Sequence, residues 1–186
     1  MITVVSGLPR SGTSLMMQIL EANGFDILTD NIRVADESNQ RGYYEYEKVK
    51  SLIKDNSWLQ EAEGKTVKVI AQLIPSLPKE FEYKVIFMER NINEILASQT
   101  KMLERLGSEK QIPAEILKKV FEQQVEKTKT FLNNAPNFKV TEINFKSIFT
   151  NLDEQIMKIN FDLELNLASE LSGRIVKTEL YREKAI

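Results

Sequence analysis

A short β-branched run, then a glycine-bounded turn, then a helix: this opening constrains the chain more than anything else in it. Ile2 to Ser6 reads as a buried strand of a parallel sheet. Gly7-Leu8-Pro9-Arg10-Ser11-Gly12-Thr13-Ser14 follows at once. Leu15, Met16, Ile19 and Leu20 then recur at helical spacing, and Asn23-Gly24 supplies a stop. A turn of this kind points several backbone N–H groups into one concavity. Its glycines admit a ligand close to the backbone, and the helix end adds partial positive charge. The chemistry that fits is phosphate or sulfate. The plainer reading is a glycine turn whose helix is capped by Thr13 or Ser14.

Further along, Val67 to Leu73, Tyr83 to Met88 and Phe138 to Ile143 read as strands. Glu45 to Asp55 reads as a short helix. Asn91 is placed to cap a helix, with Glu94 as its capping-box partner. That helix carries an apolar stripe of Ile92, Ile95, Leu96, Met102, Leu103 and Leu106, and Ser98 lies at the stripe's edge. Pro113 suits the first turn of a long helix to Asn133, and Lys146 to Ile159 reads as one more. The tail from Asn166 is expected to be helical in part. Residues 25 to 44 read as a long functional loop. Alternating strands and helices, without a linker or repeat, give one α/β domain over residues 1–186. The expected fold is a three-layer P-loop-type domain with a mainly parallel central sheet flanked by helices.

Composition excludes several chemistries. The 186 residues include no cysteine and no histidine, which removes disulfides, thiol nucleophiles, Ser-His pairs and Cys or His metal sites. A general base has to be Asp, Glu, Lys, Tyr or water. With 25 basic and 27 acidic side chains the net charge is −2, and no basic block marks a nucleic-acid footprint. No apolar run approaches the ~20 residues of a membrane span. The strand begins within the first residues, leaving no room for a signal peptide, so the expected compartment is the cytoplasm.

The loop spacing matches G-x-x-x-x-G-K-[ST] with one departure: Thr13 stands where the lysine would be, and a cation sits three residues earlier, at Arg10. That change argues against an ATPase or kinase and for a different ligand geometry.

At this point the chain resembles the sulfotransferases that use 3′-phosphoadenosine 5′-phosphosulfate. Gly7 to Leu15 looks like their 5′-phosphosulfate loop, P-[KR]-S-G-T-[ST]. The arginine form is similar to tyrosylprotein sulfotransferases and to bacterial sulfotransferase-like proteins. A second motif agrees: the family places an arginine at a later strand end and a serine eight residues on, matched here by Arg90 and Ser98. The resemblance covers roughly residues 1 to 105. It implies that Pro9, Arg10, Ser11, Gly12, Thr13 and Ser14 hold the 5′-phosphosulfate, with Arg10 stabilising charge between sulfate and phosphate. It implies that Arg90 and Ser98 hold the 3′-phosphate. It also implies adenosine 3′,5′-bisphosphate as product, no catalytic metal, and a hydroxyl or amine acceptor on a small molecule or peptide.

The acceptor's base departs from the family pattern. Cytosolic members use a histidine, absent here. Tyrosylprotein members use a glutamate in a G-E-E-T-R-like segment, whose counterpart is Thr29-Asp30-Asn31-Ile32-Arg33. The base position falls on Asn31, which cannot accept a proton. Asp30 beside it is the first candidate and Glu45 the second, with Glu37 and Glu47 in the same region. Tyr43, Tyr44 and Tyr46 either line an acceptor pocket or anchor the loop. Arg174 and Arg182 are late basic residues of the kind that reach the nucleotide in some relatives. Two alternatives stand beside a sulfotransferase: a P-loop kinase of a nucleotide or small molecule, and a non-catalytic phosphonucleotide-binding module. No nucleic acid or membrane insertion is expected, and a homo-oligomer is allowed.

Overall fold

The computed structural model describes residues 1–30, 32–33, 42–105, 107, 112–177 and 181. Its strands are β1 (Ile2–Gly7), β2 (Thr66–Lys68), β3 (Tyr83–Glu89) and β4 (Phe138–Asn144). They form a parallel sheet in the order β2-β1-β3-β4. The helices are α1 (Thr13–Ala22), α2 (Ile92–Arg105), α3 (Ala114–Asn134), α4 (Phe145–Thr150), α5 (Leu152–Leu163) and α6 (Ser169–Ile175).

The period-2 alternation of strand side chains sorts the core into two halves, one on each face of the sheet. Ile2, Val4, Val67, Val85 and Phe87 pack with Trp58, Leu59 and Leu132 of α3. On the opposite face, Val5, Ile86, Met88 and Ile143 pack with α1, α4 and α5. Both faces are thus covered, which is why the inner strands read as unbroken apolar runs. Each fully buried Ile, Val or Phe here contributes about 1.5–3 kcal/mol. The α/β class and the three-layer arrangement expected from the sequence are what the chain adopts.

Register then positions the chemistry. Ile2 pairs with Tyr83 and Gly7 with Met88, so the turn after β1 and Arg90, just beyond β3, leave the same edge of the sheet. All four strands run in that one direction, and ligands collect where parallel strands end.

Three local expectations are corrected. The strand expected over 67–73 ends at Lys68, and Ala71–Ser76 is a 3-10 turn containing Pro75, which has no N–H to give to a ladder. The helix expected over 45–55 is a 3-10 turn at Glu47–Ser51. The helix expected over 146–159 is two helices, because Asn151 leaves helical geometry (φ −143°, ψ 51°) and opens α5, whose first turn carries Asp153 and Glu154. The side chain of Asn144 caps α4 by accepting from the amides of Lys146 and Ser147.

Candidate functional site

The turn after β1 owes its shape to three residues with positive φ: Gly7 (149°), Arg10 (69°) and Gly12 (102°). Glycine adopts such angles freely, whereas a non-glycine residue there costs roughly 1–2 kcal/mol. A Cβ on Gly7 would lie 2.4 Å from Ser11 Oγ and 2.6 Å from the Met88 carbonyl. A Cβ on Gly12 would lie 2.2 Å from the Phe145 ring. The turn closes through the Ser11 amide, which donates to Leu8 O at 3.1 Å. The N-cap of α1 is Gly12, which has no side chain to cap with, and Thr13 and Ser14 lie inside the first turn, so neither holds the cap position. Helix geometry leaves the first-turn N–H groups without intrahelical partners. The Ser11 hydroxyl is buried and has no hydrogen-bond partner among the described residues.

Arg10, Arg90 and Ser98 converge. Arg10 Nε donates to Ser98 Oγ at 3.0 Å, across 88 residues of sequence. Arg90 Nη1 donates to the Arg10 carbonyl at 3.2 Å, which secures the backbone of the one strained non-glycine residue in the turn. Ser98 is buried, on the face of α2 that also carries Glu94 and Ile95. The sequence placed it at the edge of the apolar stripe. The inward face of α2 is divided, with Ile95 against Leu8 and Phe121, and Glu94 and Ser98 toward the turn. Pro9 is exposed on the rim.

Glu94 was not singled out as a site residue. Its Oε2 accepts from Arg90 Nε at 2.9 Å, with both side chains under a tenth exposed. Glu94 and Ser98, four residues apart, share one face of α2, and Arg90 stands four residues before Glu94, just beyond the end of β3; this spacing is the signal that was there to find. Removing one partner of a buried ion pair costs about 3–5 kcal/mol, since the other charge stays buried.

Lys68 was also missed. It ends β2 beside the turn with its side chain 8% exposed, donates to the Tyr43 carbonyl, and lies 3.8 Å from Glu45 Oε1. Desolvation lowers its pKa to about 8; Glu45 opposes the shift, and Arg33 and Arg10 add to it. A lone lysine between Val67 and Val69 in an apolar run is the sequence signal for such a residue. Tyr43 O also accepts from Ser14 Oγ at 3.4 Å, tying this segment to the start of α1.

The two base candidates differ in their surroundings. Asp30 accepts from the Ile32 and Glu47 amides through its two oxygens. Partial desolvation works to raise its pKa, but the Glu47 and Ile32 amides outweigh that and hold the carboxyl below its ordinary value. Glu45 accepts from Arg33 Nη1 at 2.8 Å and faces Lys68. Glu47 pairs with Lys50 on the surface, and Arg174 with Glu170. Asn31, Glu37 and Arg182 lie outside the described residues. Tyr43 is buried with the Arg33 guanidinium 3.5 Å above its ring, Tyr44 donates to Glu21, and Tyr46 packs edge-on against Trp58. Among the described residues no group of three or more acidic side chains is placed to hold a metal, and no helix is long and apolar enough to cross a membrane.

Comparison with known proteins agrees with this architecture. The model of the sulfotransferase domain family matches residues 2–183. The chain therefore belongs to the sulfotransferase family and is a transferase of sulfuryl groups. Its fold is similar to that of the sulfotransferase domain from the curacin biosynthetic pathway, at 12% identity and a TM-score of 0.54, covering 91% of this chain and 76% of that one. A mouse sulfotransferase, SULT7A1, solved in complex with PAP, aligns at 14% identity and a TM-score of 0.49, covering 99% of this chain and 66% of that one. No curated protein sequence matches.

Two predictions follow from the local geometry. Gly12→Ala should cost about 2–4 kcal/mol, combining positive-φ strain with an overpacked Phe145 ring. Gly64→Ala, whose Cβ would meet nothing within 4 Å, should cost only about 1 kcal/mol. Equal losses in denaturant melts would contradict the close Phe145 contact. The Lys68 pKa is depressed, from 10.5 to about 8. Between those values the unfolded chain binds more protons, so this residue makes stability rise with pH across that window. Melting temperature against pH should lose that component in Lys68→Met, and an unchanged profile would rule out the buried amine.

Proposed function

We propose that the donor is 3′-phosphoadenosine 5′-phosphosulfate and that it binds in the turn between β1 and α1. The observation that carries this reading is the meeting of Arg10, Arg90 and Ser98 beside the first-turn amides of α1. A doubly phosphorylated nucleotide needs cations at two separated points, and Arg10 and Arg90 supply them at one sheet edge. Planar guanidinium forks suit phosphate. The buried Ser11 hydroxyl, which no group among the described residues satisfies, fits an anion with oxygens to spare.

In this reading the amides at the start of α1, with the Thr13 and Ser14 hydroxyls, hold the 5′-phosphate, and Arg90 and Ser98 hold the 3′-phosphate. Arg10 and Lys68 face the sulfuryl group. The acceptor oxygen or nitrogen attacks sulfur while its proton passes to Glu45. The bond from sulfur to the 5′-phosphate oxygen breaks, and its electron pair stays on that oxygen, where Arg10 stabilises it. Glu45 is favoured over Asp30 because the oxygens of Asp30 are committed to backbone amides that clamp the loop. Lys68 gains a role its burial explains: a partly desolvated ammonium near Arg10 is costly alone and favourable once a polyanion arrives. The acceptor is a hydroxyl or amine of a small molecule or peptide.

Thermal shift and transfer assays test this. Adenosine 3′,5′-bisphosphate at 100 times its Kd should add about 2.7 kcal/mol of stability without magnesium, and ATP much less. Arg10→Ala and Arg90→Ala should each reduce that gain. Glu45→Gln should keep it while lowering transfer of labelled sulfate by about 10²-fold. Stabilisation by magnesium ATP but not by the bisphosphate would replace this reading with a kinase.

A further inference from the structure

We propose that Tyr181, from the carboxy-terminal tail, is a positioning residue for the donor site: it holds Arg90, and through Arg90 the backbone of Arg10, in the arrangement that receives the 3′-phosphate. This rests on the donor reading above.

Tyr181 reaches the turn by two routes. The polar route starts at its hydroxyl, which donates to Glu94 Oε1 at 2.7 Å. Glu94 Oε2 accepts from Arg90 Nε, and Arg90 Nη1 donates to the Arg10 carbonyl. The apolar route starts at its ring, which stacks on Phe149 (5.3 Å, 19°) and meets Phe145 edge-on (5.4 Å, 88°). Phe145 is the ring that packs on Gly12. The Arg90 guanidinium lies 4.5 Å from the Phe145 centroid and 5.6 Å from that of Tyr181.

Each contact removes a degree of freedom from Arg90. Glu94 fixes its Nε side, the two aromatic rings fix the plane of its fork, and the Arg10 carbonyl fixes one terminal nitrogen. A phosphate that binds a fork already held in place loses less on ordering than one that must immobilise a free arginine. Burial first, and the bond to Glu94 second, push the Tyr181 phenol up to about 12, so it remains a donor to Glu94 across the working range. Without that donor Glu94 loses the bond that orients its carboxylate, and the restraint on Arg90 weakens with it.

The test compares two nucleotides on the 186-residue chain. Calorimetry gives Kd for adenosine 3′,5′-bisphosphate and for adenosine 5′-monophosphate, which lacks the group Arg90 would bind. Tyr181→Ala should weaken the bisphosphate about tenfold and leave the monophosphate within about twofold. Tyr181→Phe keeps the ring and loses the hydroxyl, and should fall between, near threefold. In the transfer assay KM for the donor should rise with kcat at saturating donor nearly unchanged. Equal loss for both nucleotides would reduce Tyr181 to a general stability role, and no loss, or tighter binding, would overturn the proposal outright. If Tyr181→Ala fails to fold by circular dichroism, Tyr181→Phe decides alone by the same comparison. A wild-type chain that does not prefer the bisphosphate would instead overturn the donor reading, and the Tyr181 proposal with it. A wild-type preference that Tyr181→Phe and Tyr181→Ala leave intact would overturn only the latter.

Discussion

The hydrogen bond from Arg90 to the carbonyl of Arg10 is the contact on which the site depends. Arg10 sits at φ 69°, a conformation that disfavours any residue with a Cβ. A glycine would relieve the strain but would remove the guanidinium. The chain keeps the arginine and restrains it from the segment that follows β3: Arg90 takes its carbonyl, and Ser98 of α2 takes its side chain. Both restraints exist only because β1 and β3 pair in register, so that the turn and Arg90 leave the sheet together. Backbone strain, strand register and cation placement are therefore one arrangement.

Electrostatics around the turn have the same character. Arg10, Lys68, Arg33 and Arg90 crowd one edge, answered by Glu45 and Glu94. Burial disfavours the charged form of Lys68, and nearby guanidinia disfavour it further. Such crowding of like charge at a partly buried edge is unfavourable for the protein alone. In the donor reading proposed above, that lost stability is offset where preorganised charge stabilises a transition state.

How much of this could be read from the sequence varies with the range of the interaction. β1, β3 and β4 were legible because strands covered on both faces are continuous apolar runs, and the glycine turn because its spacing is local. β2 was overread by several residues: apolar content continues through Ile74, but Pro75 and the 3-10 turn end the ladder. The break at Asn151 was legible as an Asn followed by acidic residues, yet the apolar period runs across it. Arg90 and Ser98 were picked out as a pair, while Glu94 between them was assigned to a helix cap. Lys68 and Tyr181 escaped notice, and the role of Glu94 beside Arg90 with them, because their meaning lies in contacts the linear chain does not display. Tyr181 and Glu94 are 87 residues apart, and nothing near either names the other.

The most direct measurement is a crystal structure of the chain soaked with adenosine 3′,5′-bisphosphate. The account requires the 5′-phosphate on the amides that open α1 and the 3′-phosphate within hydrogen-bond distance of Arg90 and Ser98, with Arg10 still at positive φ. Density for the nucleotide elsewhere, or a 3′-phosphate pointing away from Arg90 into solvent, would contradict it.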